Sequence, residues 1–183
     1  MENIKSFQSQ KVIKFLTIIF LGSILLTASA KFKIPFYPVP MTMQTFVVLF
    51  FGLAFGYKIG LSIVGLYLIE GILGLPVFSN SPERGVGLIY STGPTMGYLI
   101  GFLFAVFLSG YLDLKKNIFI IFFKLLLSVS VIYILGLIWL GILIGWDKPI
   151  LELGAIPFLP AELLKILILT LLTKKIIKLR SFI

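Results

Sequence analysis

The chain has 183 residues, of which 59% are hydrophobic and 13% charged, with no cysteine, no histidine and a formal net charge of +9. That composition excludes disulfides, thiol chemistry, Cys/His zinc sites and a Ser-His-Asp triad, and it carries more apolar surface than a water-soluble domain can hide. In so apolar a chain the excess of lysine reads as basic flanks held at one membrane face, not as a nucleic-acid surface.

A bilayer crossing takes about 20 apolar residues, fewer or more with tilt. Six runs meet that measure, at about 12–30, 42–57, 59–75, 94–112, 117–145 and 160–174. The expected fold is an all-α integral membrane protein, one domain over 1–183, with six transmembrane helices and structured outer loops. The first run follows Lys5, Lys11 and Lys14, and Ala28-Ser29-Ala30 resembles a signal-peptidase site. Because further spans follow, an uncleaved first helix is the simpler reading. The second and third runs are divided only by Tyr57-Lys58, and the fifth is long enough to tilt or kink near Gly136 and Gly141.

An even number of spans puts both termini on one side. That side collects Lys5, Lys11, Lys14, Lys58, Lys115, Lys116, Lys174, Lys175, Lys178 and Arg180, against Lys31, Lys33, Arg84 and Lys148 on the other. The bias sets both termini in the cytoplasm of a multi-pass protein of the cytoplasmic membrane. All nine prolines then fall at the outer side. Proline-stiffened loops rich in Gly, Tyr, Ser and Thr suggest a ligand site capped from outside.

Four ionisable residues lie inside apolar runs: Glu70, Lys124, Glu162 and Lys165. A charge at bilayer depth costs roughly 3 kcal/mol or more and normally faces a cavity or a partner. Glu162 and Lys165 are three apart and share a helix face. Glu162 suits the positive end of the helix dipole; Lys165 does not. The pair either closes on itself or faces a partly anionic ligand, and the second reading is preferred. Lys124 can snorkel to the cytoplasmic side. Glu70 either faces the same cavity or is satisfied by packing.

Four segments carry further signals. In Ile34–Thr45, a proline-braced loop enters the second helix, with Thr42 as N-cap and Gln44 able to point an amide into a cavity. Gly74–Asn80 stops the third helix and offers Asn80 as donor and acceptor, while Glu83 and Arg84 beyond it read as solvated. Tyr90–Phe102 opens the fourth helix at Pro94. Its Gly93, Gly97 and Gly101 form a smooth packing face, and Tyr90, Thr95 and Tyr98 are polar enough to line a pocket. Pro157–Lys165 opens the sixth.

Taken in order, VPMTMQT at Val39–Thr45, YLIEGILGLPVF at Tyr67–Phe78, GPTMGYLIGF at Gly93–Phe102 and PFLPAELLK at Pro157–Lys165 resemble the BioY family, the biotin-binding S components of energy-coupling-factor (ECF) vitamin transporters. The chain departs from the family pattern at Pro160-Ala161-Glu162, where proline-glycine-aspartate is usual, and at Met96, where glycine is usual. The resemblance implies biotin as ligand, and as partners a transmembrane coupling subunit plus two ATPase subunits. It further implies rotation of the subunit within the membrane. An Ala-x-x-x-Ala-type docking face on the first helix has its nearest match in Ser23-xxx-Thr27.

A biotin site needs an acceptor for ureido N–H, a donor for the carbonyl, an apolar wall, and a donor or cation for the carboxylate. Glu162 can accept, Asn80 can donate and Lys165 can meet the anion. Tyr90, Tyr98, Phe78 and Trp139 can supply wall. No cofactor or metal is expected. With no G-x-x-x-x-G-K-[ST] loop, ATP hydrolysis belongs to partners and not to this chain. The alternatives are a stand-alone biotin facilitator and an intramembrane enzyme using Glu70 or Glu162 as base.

Overall fold

The structure, a computed structural model, describes residues 2–111 and 117–182, with side chains from 10 to 180 among them. Lys115 and Lys116, counted above toward membrane sidedness, lie outside the described residues, as does the Lys5 side chain. The fold is helical apart from one short ribbon, and helix α1 spans Glu2–Lys31. The next run, Gln44–Ile72, is long enough for one crossing but is not one rod. Gly56 takes φ 77°, ψ 172°, a conformation open to glycine and closed to residues with a Cβ. The chain doubles back there into two arms, 44–55 (α2) and 57–72 (α3). A hydrogen bond of 2.8 Å from Gln44 Nε2 to the Tyr67 hydroxyl joins their far ends. In a straight helix that 23-residue separation would be ~35 Å. Three more helices complete the bundle: α4 (Met96–Gly110), α5 (Ile118–Ile144) and α6 (Leu159–Ile176).

Among the described residues, four helical runs are long and apolar enough to cross a membrane, namely Gln10–Lys31, Gln44–Ile72, Ile118–Ile144 and Ile150–Arg180, and Met96–Gly110 is a shorter apolar helix. The exterior is greasy: Phe20, Phe123, Leu127, Ile142, Leu164 and Leu171 are all exposed. A surface of that kind fits hydrocarbon and not water.

Between apolar helices in lipid, close packing replaces the hydrophobic drive, and small residues permit it. A Cβ on Gly101 would sit 2.7 Å from Ile132 Cα in α5, and one on Gly97 would sit 2.6 Å from the Leu135 carbonyl oxygen. Gly97 and Gly101 therefore seat α4 on α5. Gly93 is not part of that seam; its neighbour is the Tyr90 carbonyl oxygen. Gly136 makes room for the Tyr98 ring and Gly141 for Trp146. Helix α5 runs through both positions without a break, so these glycines serve packing and not a kink. We expect Gly101→Val to push α4 off α5 and to cost about 2 kcal/mol. The thermal midpoint in detergent should fall clearly below that of Ile100→Val, which keeps the seam intact.

Helix ends are capped as their residues suggest, with small shifts. The Asn117 side chain accepts the Phe119 N–H at 3.2 Å at the start of α5. Thr42 Oγ1 accepts the Gln44 N–H at 3.3 Å, although the cap position itself is Met43. Helix α4 begins at Met96, two residues after Pro94. At the end of the bundle that holds the Gly56 turn, the Arg180 guanidinium donates to the carbonyls of Leu53 (2.9 Å), Gly52 (3.0 Å) and Gly110 (3.2 Å). One cation thus satisfies the carbonyl ends of α2 and α4 together, where helix dipoles favour positive charge.

The opposite end carries the long loops. Strands β1 (Lys33–Ile34) and β2 (Met41–Thr42) pair antiparallel, with Lys33 opposite Thr42, so residues 35–40 form the tip of a ribbon. The loop from 73 to 95 contains a single turn, Leu88–Ser91. Another loop carries the short helices Ile150–Gly154 and Ile156–Phe158 into α6. Cations tie the first two loops together. Lys31 Nζ donates to the carbonyls of Phe78 and Ser81, both at 2.8 Å. Lys33 Nζ donates to the Ser79 carbonyl (2.9 Å) and Asn80 Oδ1 (3.0 Å). Arg84 Nη1 donates to the Pro38 carbonyl at 2.7 Å, with its guanidinium 5.3 Å from the centre of the Tyr37 ring. The sequence suggested a merely solvated Arg84; it is exposed but bonded, bridging the ribbon tip to the second loop.

Candidate functional site

Beneath the ribbon lies a cavity of about 510 Å³, its open mouth included. The enclosed room within it is about 50 Å³. Its roof is Val39, Pro40, Met41 and Thr42 from the ribbon. Its walls come from Gln44 and Thr45 of α2, Tyr98, Leu99 and Phe102 of α4, Ile132 and Tyr133 of α5, and Glu162 of α6. Ser79, Tyr90, Thr95 and Phe158 close the loop side. Most of the lining is apolar, with a few polar groups converging, the mix that holds and orients a small ligand.

The polar floor is a buried ion pair. Glu162 and Lys165 are 4% and 6% exposed, and Lys165 Nζ lies 2.8 Å from Glu162 Oε1. Lys165 also donates to the Thr42 carbonyl (2.6 Å) and Thr45 Oγ1 (3.0 Å). Three ammonium hydrogens meet three protein acceptors, so the lysine is spent inside the protein. It does not line the cavity; it borders a groove on the other side of α6 with Phe46, Leu164 and Ile168. Glu162 Oε1 takes a second hydrogen bond from Thr45 Oγ1 at 3.0 Å. Its other oxygen, Oε2, is buried and accepts none, while Glu162 lines the cavity. A buried carboxylate oxygen without a partner costs free energy and suits a ligand N–H donor that can reach it. The Tyr133 phenol stands close to the same carboxyl group.

The other polar groups are held by networks. Gln44 Nε2 donates to the Tyr67 hydroxyl and Gln44 Oε1 accepts from Thr42 Oγ1 at 3.2 Å. Tyr67, fully buried, donates onward to the Val77 carbonyl at 3.3 Å. Tyr90's hydroxyl is 3.2 Å from both Ser79 Oγ and Thr95 Oγ1. Tyr98 donates to the Gly154 carbonyl at 2.9 Å, which fixes its ring against the loop that leads into α6.

Of the residues singled out from sequence, Glu162, Gln44, Tyr90, Thr95 and Tyr98 meet around this one cavity. Asn80 lies next door, in a smaller hollow of about 200 Å³ with Arg84, Tyr90, Gly93, Pro94 and Thr95. Phe78 is buried behind the wall, its ring 4.7 Å from that of Tyr90. Trp139 donates to the Gly93 carbonyl at 2.8 Å and is not among the cavity's lining residues. Glu70 is satisfied by packing: its Oε2 accepts from Ser23 Oγ. Ser23, singled out as a docking residue, is thus bonded within the bundle. At 1% exposed it is turned inward toward α3, because a lone carboxylate there needs a hydroxyl partner. Thr27 is half-buried. Sequence reasoning missed Thr45, Ser79 and Tyr133 as lining residues. Thr45 stood beside Gln44 in a quoted motif, whereas Tyr133 sits in a mostly apolar run with no motif to mark it.

A helical bundle with a greasy exterior, roofed by one ribbon and holding a mostly apolar cavity lined by a buried glutamate with an unpartnered oxygen, has the form of a small-molecule-binding protein of the membrane-spanning type. Comparison with known proteins makes the assignment narrower. The chain belongs to the BioY family, whose family model matches residues 2–182. It is 34% identical to the probable biotin transporter BioY of Pyrococcus horikoshii, over 77% of this chain and 82% of that one. It is 33% identical to the biotin transporter BioY of Thermotoga maritima, over 85% and 90% of the two chains. Among solved structures it resembles the S-component for biotin from an ECF-type ABC transporter, with a TM-score of 0.76 and 26% identity over 92% of this chain and 93% of that one.

Proposed function

We propose that this chain binds biotin and takes it up across the cytoplasmic membrane as the substrate-specific subunit of an ECF-type transporter. The observation that carries the reading is the buried Oε2 of Glu162, which has no donor, on a residue that lines the cavity beneath the ribbon. A ureido N–H is a donor suited to that oxygen, and the thioether ring and valeryl chain suit the apolar walls. Family membership and the biotin transporters among the relatives support the same ligand. The resemblance to a biotin S-component supports coupling to separate membrane and ATPase subunits. The chain itself catalyses no reaction.

Six crossings, one for each of α1 to α6, follow if the Gly56 turn returns the chain within the membrane. The arms 44–55 and 57–72 are short for a 30 Å layer, ~18 and ~24 Å, so this side of the bundle demands tilt or local thinning. The end with Lys58, Lys174, Lys175 and Arg180 is the cytoplasmic one and carries both termini. The ribbon end faces outward and closes over the ligand. The whole chain acts as one domain. In this reading Lys165, Thr42 and Thr45 hold Glu162, while Gln44, Tyr90, Thr95, Tyr98 and Tyr133 shape the chamber.

The test is a thermal-shift screen of purified protein in detergent against biotin and other water-soluble vitamins. Ligand at 100 times its Kd should stabilise by ~2.7 kcal/mol. Biotin should raise the midpoint and the others should not; a shift with another vitamin alone would refute biotin as the substrate.

A further inference from the structure

Biotin carries a carboxylate at its far end, and Lys165, the cation paired with Glu162 behind the cavity lining, is already committed. All three hydrogens of the Lys165 ammonium are matched to Glu162, Thr42 and Thr45. The floor is therefore a closed, neutral pair with one spare acceptor, and a ligand anion placed there would meet the lone pairs of Glu162 Oε2. Electrostatics turns the ligand the other way, with its N–H donors down and its carboxylate toward the mouth.

At the mouth the chain provides what an anion needs. The small hollow lined by Asn80, Arg84, Tyr90, Gly93, Pro94 and Thr95 shares Tyr90 and Thr95 with the main cavity, so the two adjoin along one wall. Arg84 uses Nη1 on the Pro38 carbonyl, and the fork of a guanidinium has further donors. Lys33 Nζ occupies Asn80 Oδ1, which fixes which end of that amide is oxygen. What Asn80 has left to offer is its pair of N–H donors. Lys31 and Lys33 donate to backbone carbonyls of the same loop, and Glu83 is an acidic side chain beside Lys31. Positive charge therefore prevails here, and the mouth is polar enough to keep a carboxylate partly hydrated.

We propose that Arg84, with the Asn80 amide, is the residue pair that reads the substrate's carboxylate, and that Lys165 does not. The proposal rests on biotin being the substrate. Arg84 also latches the ribbon through Pro38, so a drop in biotin affinity alone would not separate the two roles. The ligand pair biotin and biotinamide does, because the two share the ureido ring, thioether ring and chain and differ in the end charge.

Wild-type protein should bind biotin more tightly than biotinamide. In Arg84→Gln, biotin affinity should fall about 10- to 100-fold while biotinamide affinity changes far less, so the preference shrinks or vanishes. Arg84→Lys should restore part of the preference, as a point charge without the fork. Equal losses for both ligands in Arg84→Gln would overturn the proposal and leave Arg84 as a latch only. An unchanged preference in Arg84→Gln would overturn it as well. If wild-type protein binds neither ligand, the biotin reading itself fails, a distinct outcome.

Discussion

Glu162→Gln should lower biotin affinity by roughly 100-fold, more than any other single change in the cavity. The carboxylate has two oxygens in different states: Oε1 is bound by Lys165 and Thr45, and Oε2 is buried without a donor. Glutamine has one oxygen, and Lys165 and Thr45, as donors, will claim it. The amide N–H₂ is then turned toward the ligand's own N–H groups. A charge-assisted hydrogen bond is lost and a donor meets a donor, together about 3 kcal/mol. The fold should survive, because Lys165 keeps the Thr42 carbonyl, Thr45 and an amide oxygen. Titration of purified variant with labelled biotin reads the loss directly, and wild-type affinity would remove Glu162 from the site.

Lys165→Met acts on stability first. Removing the lysine strands a carboxylate that is 4% exposed and orphans the Thr42 carbonyl that roots the ribbon. Breaking one side of a buried pair costs about 3–5 kcal/mol. The thermal midpoint without ligand should fall well below that of Glu162→Gln. The double variant Glu162→Gln, Lys165→Met should recover much of the loss, because no bare charge remains, yet should still fail to bind biotin. A Lys165→Met protein as stable as wild type but unable to bind biotin would make the lysine a direct ligand contact.

The contrast between these two residues shows how far the sequence could be read. Their spacing announced a shared helix face, and their polarity inside an apolar run announced a cavity. Which of them faced that cavity depended on Thr42 and Thr45, about 120 positions away, and nothing local encodes that meeting. The same limit applies to Ser23, whose partner Glu70 lies on another helix, and to Arg84, whose partner is the Pro38 carbonyl. A loop arginine looks solvated until the loop opposite it is in place.

The helices were more legible because their signals are local. Apolar length marked each run, and Tyr57-Lys58 interrupted one that length alone would count as a single span. The structural cause is one residue earlier, at Gly56, where a backbone conformation and not a charge turns the chain. Gly97 and Gly101 were readable as a packing face because their spacing matches a helical turn. Tyr133 was not, since it follows Ser128 and Ser130 in the run 118–144 with no periodicity to single it out.

The central claim is that the orphaned oxygen of Glu162 is the anchor for the ligand's ring. A structure of the protein with biotin bound measures this most directly. The expected result is a ureido nitrogen within about 2.7–3.2 Å of Glu162 Oε2, under the closed ribbon. Biotin bound in the chamber with Oε2 still without a donor, or bound outside it altogether, would contradict the account.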